Sequence, residues 1–269
     1  MENTSELRQR HASPPNTDTS TRANESHSAQ SNGWWVQTAQ WLQESCYQLL
    51  AWTVWDRIMG GFQPGRMRAF EVLDIKTSDR VLLVGEGSGL DFQCLPSSIN
   101  RNQLWAFDFS SEMVRQSKIK AKEFDIPEDH CFVGDAQSLK FTEEKFDKIF
   151  FPLSIASIPN PTLALKEAER VLSQYGKIVV FDKLLDDDTP ITLARRILNI
   201  ITQCTFADIN RNLSGILIEV PEFKLIQYES LEGKLEGILA RPLGQFYRIA
   251  LIVRKEDYPD QAIPAKVLG

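Results

Sequence analysis

The run VLLVGEGSGLD at residues 81–91 constrains the fold more than any other stretch. Four apolar residues lead straight into three glycines within five positions. A short apolar run without alternation reads as a strand buried on both faces. Glycines at its end mark a turn where the backbone must come close to something, or take a conformation closed to other residues. A strand of that kind belongs to a parallel sheet covered by helices on both sides.

The rest of the chain repeats the alternation. A helix near 65–75 precedes a strand at 80–84. A strand at 103–108 leads to a helix at 111–123, and a strand near 130–134 to a short helix around 142–146. The strand at 147–152 ends at Pro152. Asn160 then caps a helix running to Ser173, with Pro161 in its first position. Gly176 ends that helix, and KIVVFD (177–182) is the next strand. Residues 190–213 read as helical, and strands near 222–229 and 245–254 follow. The pattern is an α/β fold with seven strands, most of them parallel.

Upstream, residues 1–33 are rich in Ser, Thr, Asn and Pro and nearly free of large apolar groups, so they read as a disordered tail. Residues 34–64 change character. Trp34, Trp41, Trp52, Trp55 and Met59 recur at roughly helical spacing, with Tyr47 among them. Three readings stay open: a helix packed on the domain, a helical lid over an apolar substrate, or a helix lying on a membrane surface. No Lys or Arg falls between Trp34 and Asp56, which speaks against the last. The remaining residues, 65–269, form the main domain.

The net charge of −6 disfavours nucleic acid as a partner, because phosphate contacts need a basic face. No apolar run reaches the length of about 18 residues that a membrane span requires. Cys46, Cys94, Cys131 and Cys204 are scattered, with no metal-ligand spacing and no disulfide framework, so no metal is expected and a cytoplasmic setting is. The third glycine of a dinucleotide fingerprint would stand at Leu90, and a Walker loop would need a Lys followed by Ser or Thr. The turn therefore suits neither a pyrophosphate nor a triphosphate.

The G-x-G-x-G spacing resembles the first motif of class I S-adenosylmethionine-dependent methyltransferases, and further motifs follow in order. LWAFDFSSEMVRQSKIKAK resembles the second, FVGDAQSLKF (132–141) the third, and FDKIFFPLSIASIPNPTLALKEAERVLSQYGKIVV the fourth strand through the fifth. The resemblance implies a Rossmann-like sheet and S-adenosyl-L-methionine as cofactor. It implies that Gly85, Gly87 and Gly89 seat the cofactor, that Asp108 grips its ribose beside Phe109 and Met113, that Asp135 and Ala136 meet its adenine, and that Pro152 borders the site. Two positions depart from the pattern. Leu83 stands where the family usually has an acid, and Tyr175 where it commonly has a glycine. Glu86 either offsets the first loss by meeting the cofactor's amino group or sulfonium, or points to water.

VWDRIMGGFQPGRMRAFEVL (54–73) also looks like the opening of bacterial phosphatidylethanolamine N-methyltransferases, and ARRILNIITQCTFADINRNLSGIL is similar to a helix of quinone C-methyltransferases. A small-molecule or lipid-like acceptor is implied. A phenol or hydroxyl acceptor usually needs a base such as histidine. PLSIASIPNP has none, and His130, the one histidine beyond the tail, reads as a strand-edge residue. An amine needs only its neutral form, so nitrogen is preferred over carbon. Asp182, Tyr47 and Asp56 are the candidate catalytic residues. Arg57, Arg66, Ser154, Ser157 and Lys183 share the same edge, each with a plain alternative as a surface or capping residue. The rival readings are a nicotinamide dehydrogenase, which lacks a Tyr-x-x-x-Lys pair, and a cofactor-binding scaffold.

Overall fold

The structure is a computed structural model that describes residues 59–186, 208–235 and 246–262, with positions 191, 193, 196, 197, 199 and 200. The expected tail, most of the expected lid, Tyr47, Asp56 and Arg57 lie outside the described residues. So do Cys46 and Cys204.

Seven strands form one sheet: β1 (Val81–Val84), β2 (Leu104–Asp108), β3 (Cys131–Val133), β4 (Phe146–Pro152), β5 (Leu172–Lys183), β6 (Phe223–Ser230) and β7 (Tyr247–Arg254). Their spatial order is β3-β2-β1-β4-β5-β7-β6. The first five pair in parallel, and β7 runs antiparallel between β5 and β6. The expected Rossmann-like, mostly parallel sheet is present. Its order turns outward from the β1–β4 pair, since β2 lies on one side of that pair and β5 on the other.

Helices α1 (Gln63–Leu73), α2 (Ser111–Glu123), α3 (Pro161–Val171) and α4 (Leu213–Ile218) accompany the sheet. Alternate strand residues divide between two cores, as period-two geometry demands. Val81, Leu83, Phe150, Val179 and Ile249 pack with Phe70 and Leu73 of α1. Leu82, Val84, Ile149, Val180 and Ala250 pack with Leu165 and Ala168 of α3. Burying a side chain of this size stabilises the fold by about 1.5–3 kcal/mol. Gly65 lets α1 press onto β5, because a Cβ there would lie 2.6 Å from the Phe181 ring. Cys94 and Cys131 are buried free thiols, pushed up to about 12 and about 11 by burial, as small core residues should be.

Several element boundaries differ from expectation. Residues 142–145 form a turn and no helix. Glu144 there has φ 50, and its N–H bonds the Arg170 carbonyl at the end of α3, so that helix holds the connection as a turn. The Asn160 cap is present, accepting from the Leu163 N–H at 3.1 Å, but α3 stops at Val171. Leu172 has already entered the sheet opposite Phe146. Of the helix expected over 190–213, the described positions 193, 196, 197, 199 and 200 are helical and 208–212 are not. Tyr175 sits at φ 57, a glycine-like conformation, with its N–H on Asp257 and its carbonyl taking the Tyr258 hydroxyl.

Candidate active site

Where strand order reverses, a crevice opens at the carboxyl ends of the strands. Here those ends belong to β1 and β4, and the glycine turn leaves β1. Gly85, Gly87 and Gly89 have φ values of 69, 64 and 83. What stands against each of them differs. A Cβ on Gly85 would lie 2.6 Å from the Ser154 Cβ, and one on Gly89 would lie 2.8 Å from the Phe92 ring. A Cβ on Gly87 would meet nothing within 4 Å. The protein itself closes the first and third positions, so Gly87 alone faces open space.

Asp108, at the end of β2, holds this turn. Its Oδ2 accepts from the Gly87 N–H at 3.0 Å and its Oδ1 from the Ser110 N–H at 2.9 Å. Burial raises its pKa, and the Ser110, Gly87 and Phe109 N–H groups pull it back. Phe109, next in the chain, leaves 60% of its surface exposed, so a flat apolar ring is presented beside a fixed carboxylate. The Gly134 N–H bonds the Asp108 carbonyl, which brings the turn after β3 alongside. Asp135 in that turn accepts the Gln137 backbone and side-chain N–H groups at 2.9 and 3.0 Å, both on Oδ1. Ala136 beside it is buried. Met113 is only 2% exposed and lies in the first turn of α2, beneath the surface. Pro152 is buried at the end of β4, paired with Phe181.

The Glu86 side chain is buried and does not reach water. Both carboxylate oxygens are buried without a hydrogen-bond partner, and the Ser117 hydroxyl that faces them makes no bond of good geometry either. Burial above all, with Asp108 and Asp91 adding to it, holds the Glu86 pKa well above the carboxylate range; Ser117 and Lys120 offset part of the rise. Asp91, just past the turn, is buried too, and accepts from Arg66 Nε at 3.0 Å. Arg66 Nη1 also donates to the Met59 carbonyl at 2.9 Å. The sequence placed Arg66 near this edge without its partner; the pair ties the segment ahead of α1 to the glycine turn.

The loop after β4 is the neighbouring wall. Ser154 Oγ donates to the Val84 carbonyl at 2.6 Å, and the Ser157 N–H bonds the Ser154 carbonyl. Asp182 is fully buried. Its Oδ2 accepts from the Ala156 N–H at 2.9 Å and its Oδ1 from the Lys183 N–H at 2.7 Å. Both carboxylate oxygens are thus engaged by backbone N–H groups. Tyr247, which sequence reasoning missed, lies buried near Asp182 with its ring against Phe62 at 4.6 Å. Burial first, then the Asp182 charge, raises its pKa. Its one signal was a tyrosine opening a strand. His130 stacks on Trp105 at 4.6 Å and bonds the Leu104 carbonyl at the start of β2, the far end of the sheet. Among the described residues no helix is long and apolar enough to cross a membrane, and no group of three His, Cys, Asp or Glu side chains is placed to hold a metal.

Residues 82–180 match a family model described as a methyltransferase domain. The chain is 27% identical over 148 residues to a phosphatidylethanolamine N-methyltransferase of Cereibacter sphaeroides, covering 55% of this chain and 71% of that protein. It is 33% identical over 85 residues to a ubiquinone/menaquinone biosynthesis C-methyltransferase of Rickettsia massiliae (strain Mtu5), covering 31% of this chain and 34% of the relative. Among solved structures, the geranyl diphosphate C-methyltransferase of Streptomyces coelicolor A3(2), in complex with Mg2+, geranyl diphosphate and S-adenosyl-L-homocysteine, is similar in fold. Its TM-score is 0.57 at 13% identity, over 71% of this chain and 76% of that one.

Proposed function

We propose that this chain, whose residues 82–180 match a methyltransferase domain, uses S-adenosyl-L-methionine to methylate an amphiphilic or aromatic small molecule at nitrogen. The observation that carries the cofactor assignment is the open ledge at Gly87, fixed from below by Asp108. The donor set suits the cofactor. An exposed Phe109 ring offers a stacking face beside Asp108, and Asp135 Oδ2 keeps acceptor capacity toward a base amino group. When bound, S-adenosyl-L-methionine supplies an electrophilic methyl group on a sulfonium.

The chain's own contribution is placement. Gly87 leaves room for close backbone approach, and the β4 loop bounds the crevice beside it. Holding an acceptor at attack distance supplies much of the rate of such a displacement. A neutral amine brings its own lone pair and gives up its proton to water afterwards, so no protein base is demanded. The remoteness of His130 from this edge supports that reading, as does the resemblance to a phosphatidylethanolamine N-methyltransferase. The second reading, methylation of a quinol or other aromatic carbon, is favoured by the resemblance to quinone C-methyltransferases.

The test is full-length protein with methyl-labelled S-adenosylmethionine and a panel of amines, indoles, quinols and phosphatidylethanolamine vesicles. Label on nitrogen of a soluble or amphiphilic amine is expected. Label confined to quinol carbon overturns nitrogen in favour of the second reading, and label confined to vesicles makes the acceptor a phospholipid.

A further inference from the structure

The loop after β4 is built against its own backbone preference. Leu153 has φ 55, a left-handed conformation that a residue with a branched side chain avoids. Such a residue persists only where its surroundings over-determine it. Three bonds do so here. The Leu153 N–H donates to the Phe181 carbonyl at 2.7 Å, Ser154 Oγ to the Val84 carbonyl at 2.6 Å, and the Ala156 N–H to Asp182 Oδ2 at 2.9 Å. Only the last depends on an ionisable side chain.

The chemistry of that side chain matters. Asp182 meets an N–H with each oxygen, from Ala156 and from Lys183. An asparagine could present one oxygen and would turn its own N–H groups toward a backbone N–H. A carboxylate buried this deeply is costly unless its acceptors are filled, and here filling them fixes the loop. The loop in turn touches the glycine turn, since the Ser154 Cβ stands 2.6 Å from where a Cβ on Gly85 would be. A shift of Leu153–Ala156 is therefore felt at the turn that carries the Gly87 ledge.

We propose that Asp182 is a positioning residue for methyl transfer: its buried carboxylate holds the Leu153–Ala156 loop as the second wall of the crevice, beside the glycine turn. It touches no substrate and moves no proton. It acts through the Ala156 N–H, and the inference rests on the cofactor site alone, whatever the acceptor.

S-adenosylhomocysteine serves as the probe. Its affinity is measured by titration calorimetry for the wild type and for Asp182→Asn, at a temperature well below melting, alongside amide exchange across residues 153–157. Asp182→Asn is expected to stay folded by circular dichroism, to exchange the Leu153 and Ala156 amides at least about tenfold faster, and to bind the probe about tenfold more weakly. A purely structural role would lower the melting temperature and leave the folded variant's affinity within about twofold of wild type; that result overturns the proposal. Should the variant not fold, the wild type decides. Slower exchange of the Ala156 amide on probe binding supports the positioning role, and unchanged exchange overturns it.

Discussion

The three glycines of one turn are not interchangeable. Gly87→Ala meets no steric obstacle, so its stability cost is the left-handed backbone alone, about 1–2 kcal/mol. Its cost to the ledge is expected as a loss of about tenfold in S-adenosylhomocysteine affinity by calorimetry. Gly85→Ala collides with Ser154 as well, and a loss of about 2–5 kcal/mol in denaturant unfolding is expected. Equal stability in the two variants would contradict this division. Glu86 yields a pH prediction. Its folded pKa lies above its unfolded value, so the folded protein keeps a proton that the unfolded chain has released above about pH 4.3. Stability from this residue therefore falls as pH rises toward the folded pKa. Glu86→Gln removes that slope. Its melting temperature relative to wild type should climb as pH rises above about 4.3, and a constant difference would mean the carboxyl is not held neutral. The sequence exposed the oddity of this acid in the turn but not its direction. Which way a side chain leaves a turn depends on α2, which supplies Ser117 and Lys120 more than thirty residues later.

Among the elements, α1 and the turn past β1 are joined by the Arg66–Asp91 pair, with side chains only 6% and 1% exposed. Removing one partner strands a buried charge, so Arg66→Met is expected to cost about 3–5 kcal/mol. The double variant Arg66→Met, Asp91→Leu should recover a large part of that loss in a double-mutant cycle, and additive losses would show that the pair is not coupled. Elements with strong local signals were legible in the chain. The apolar run of β1 and the Asn160–Pro161 start of α3 follow from nearby residues. The extra length of β5 was not. Leu172 joins the sheet because Phe146 lies opposite it, a pairing across twenty-six residues that no local pattern announces. The short helix expected at 142–146 fails for a similar reason, since Arg170 of α3 fixes Glu144 as a turn.

For the molecule as a whole, a ligand that binds only the folded state raises stability by mass action. S-adenosylhomocysteine at about 100 times its Kd should add about 2.7 kcal/mol, read as a rise in melting temperature that Gly87→Ala blunts. No rise in the wild type would remove the cofactor assignment. The sequence by itself determined the sheet, its two-sided burial and the order of its sites, because apolar period, glycine spacing and capping residues are local properties of the chain. The tertiary structure alone decided where each of these side chains sits and what it bonds. It set the Asp182 carboxylate against the Ala156 and Lys183 N–H groups, buried Met113 and both Glu86 oxygens, and left Gly87, of the three turn glycines, facing open space. The reason is that exposure and hydrogen bonding are set by which distant segments pack together, and a residue's type and spacing do not carry that information.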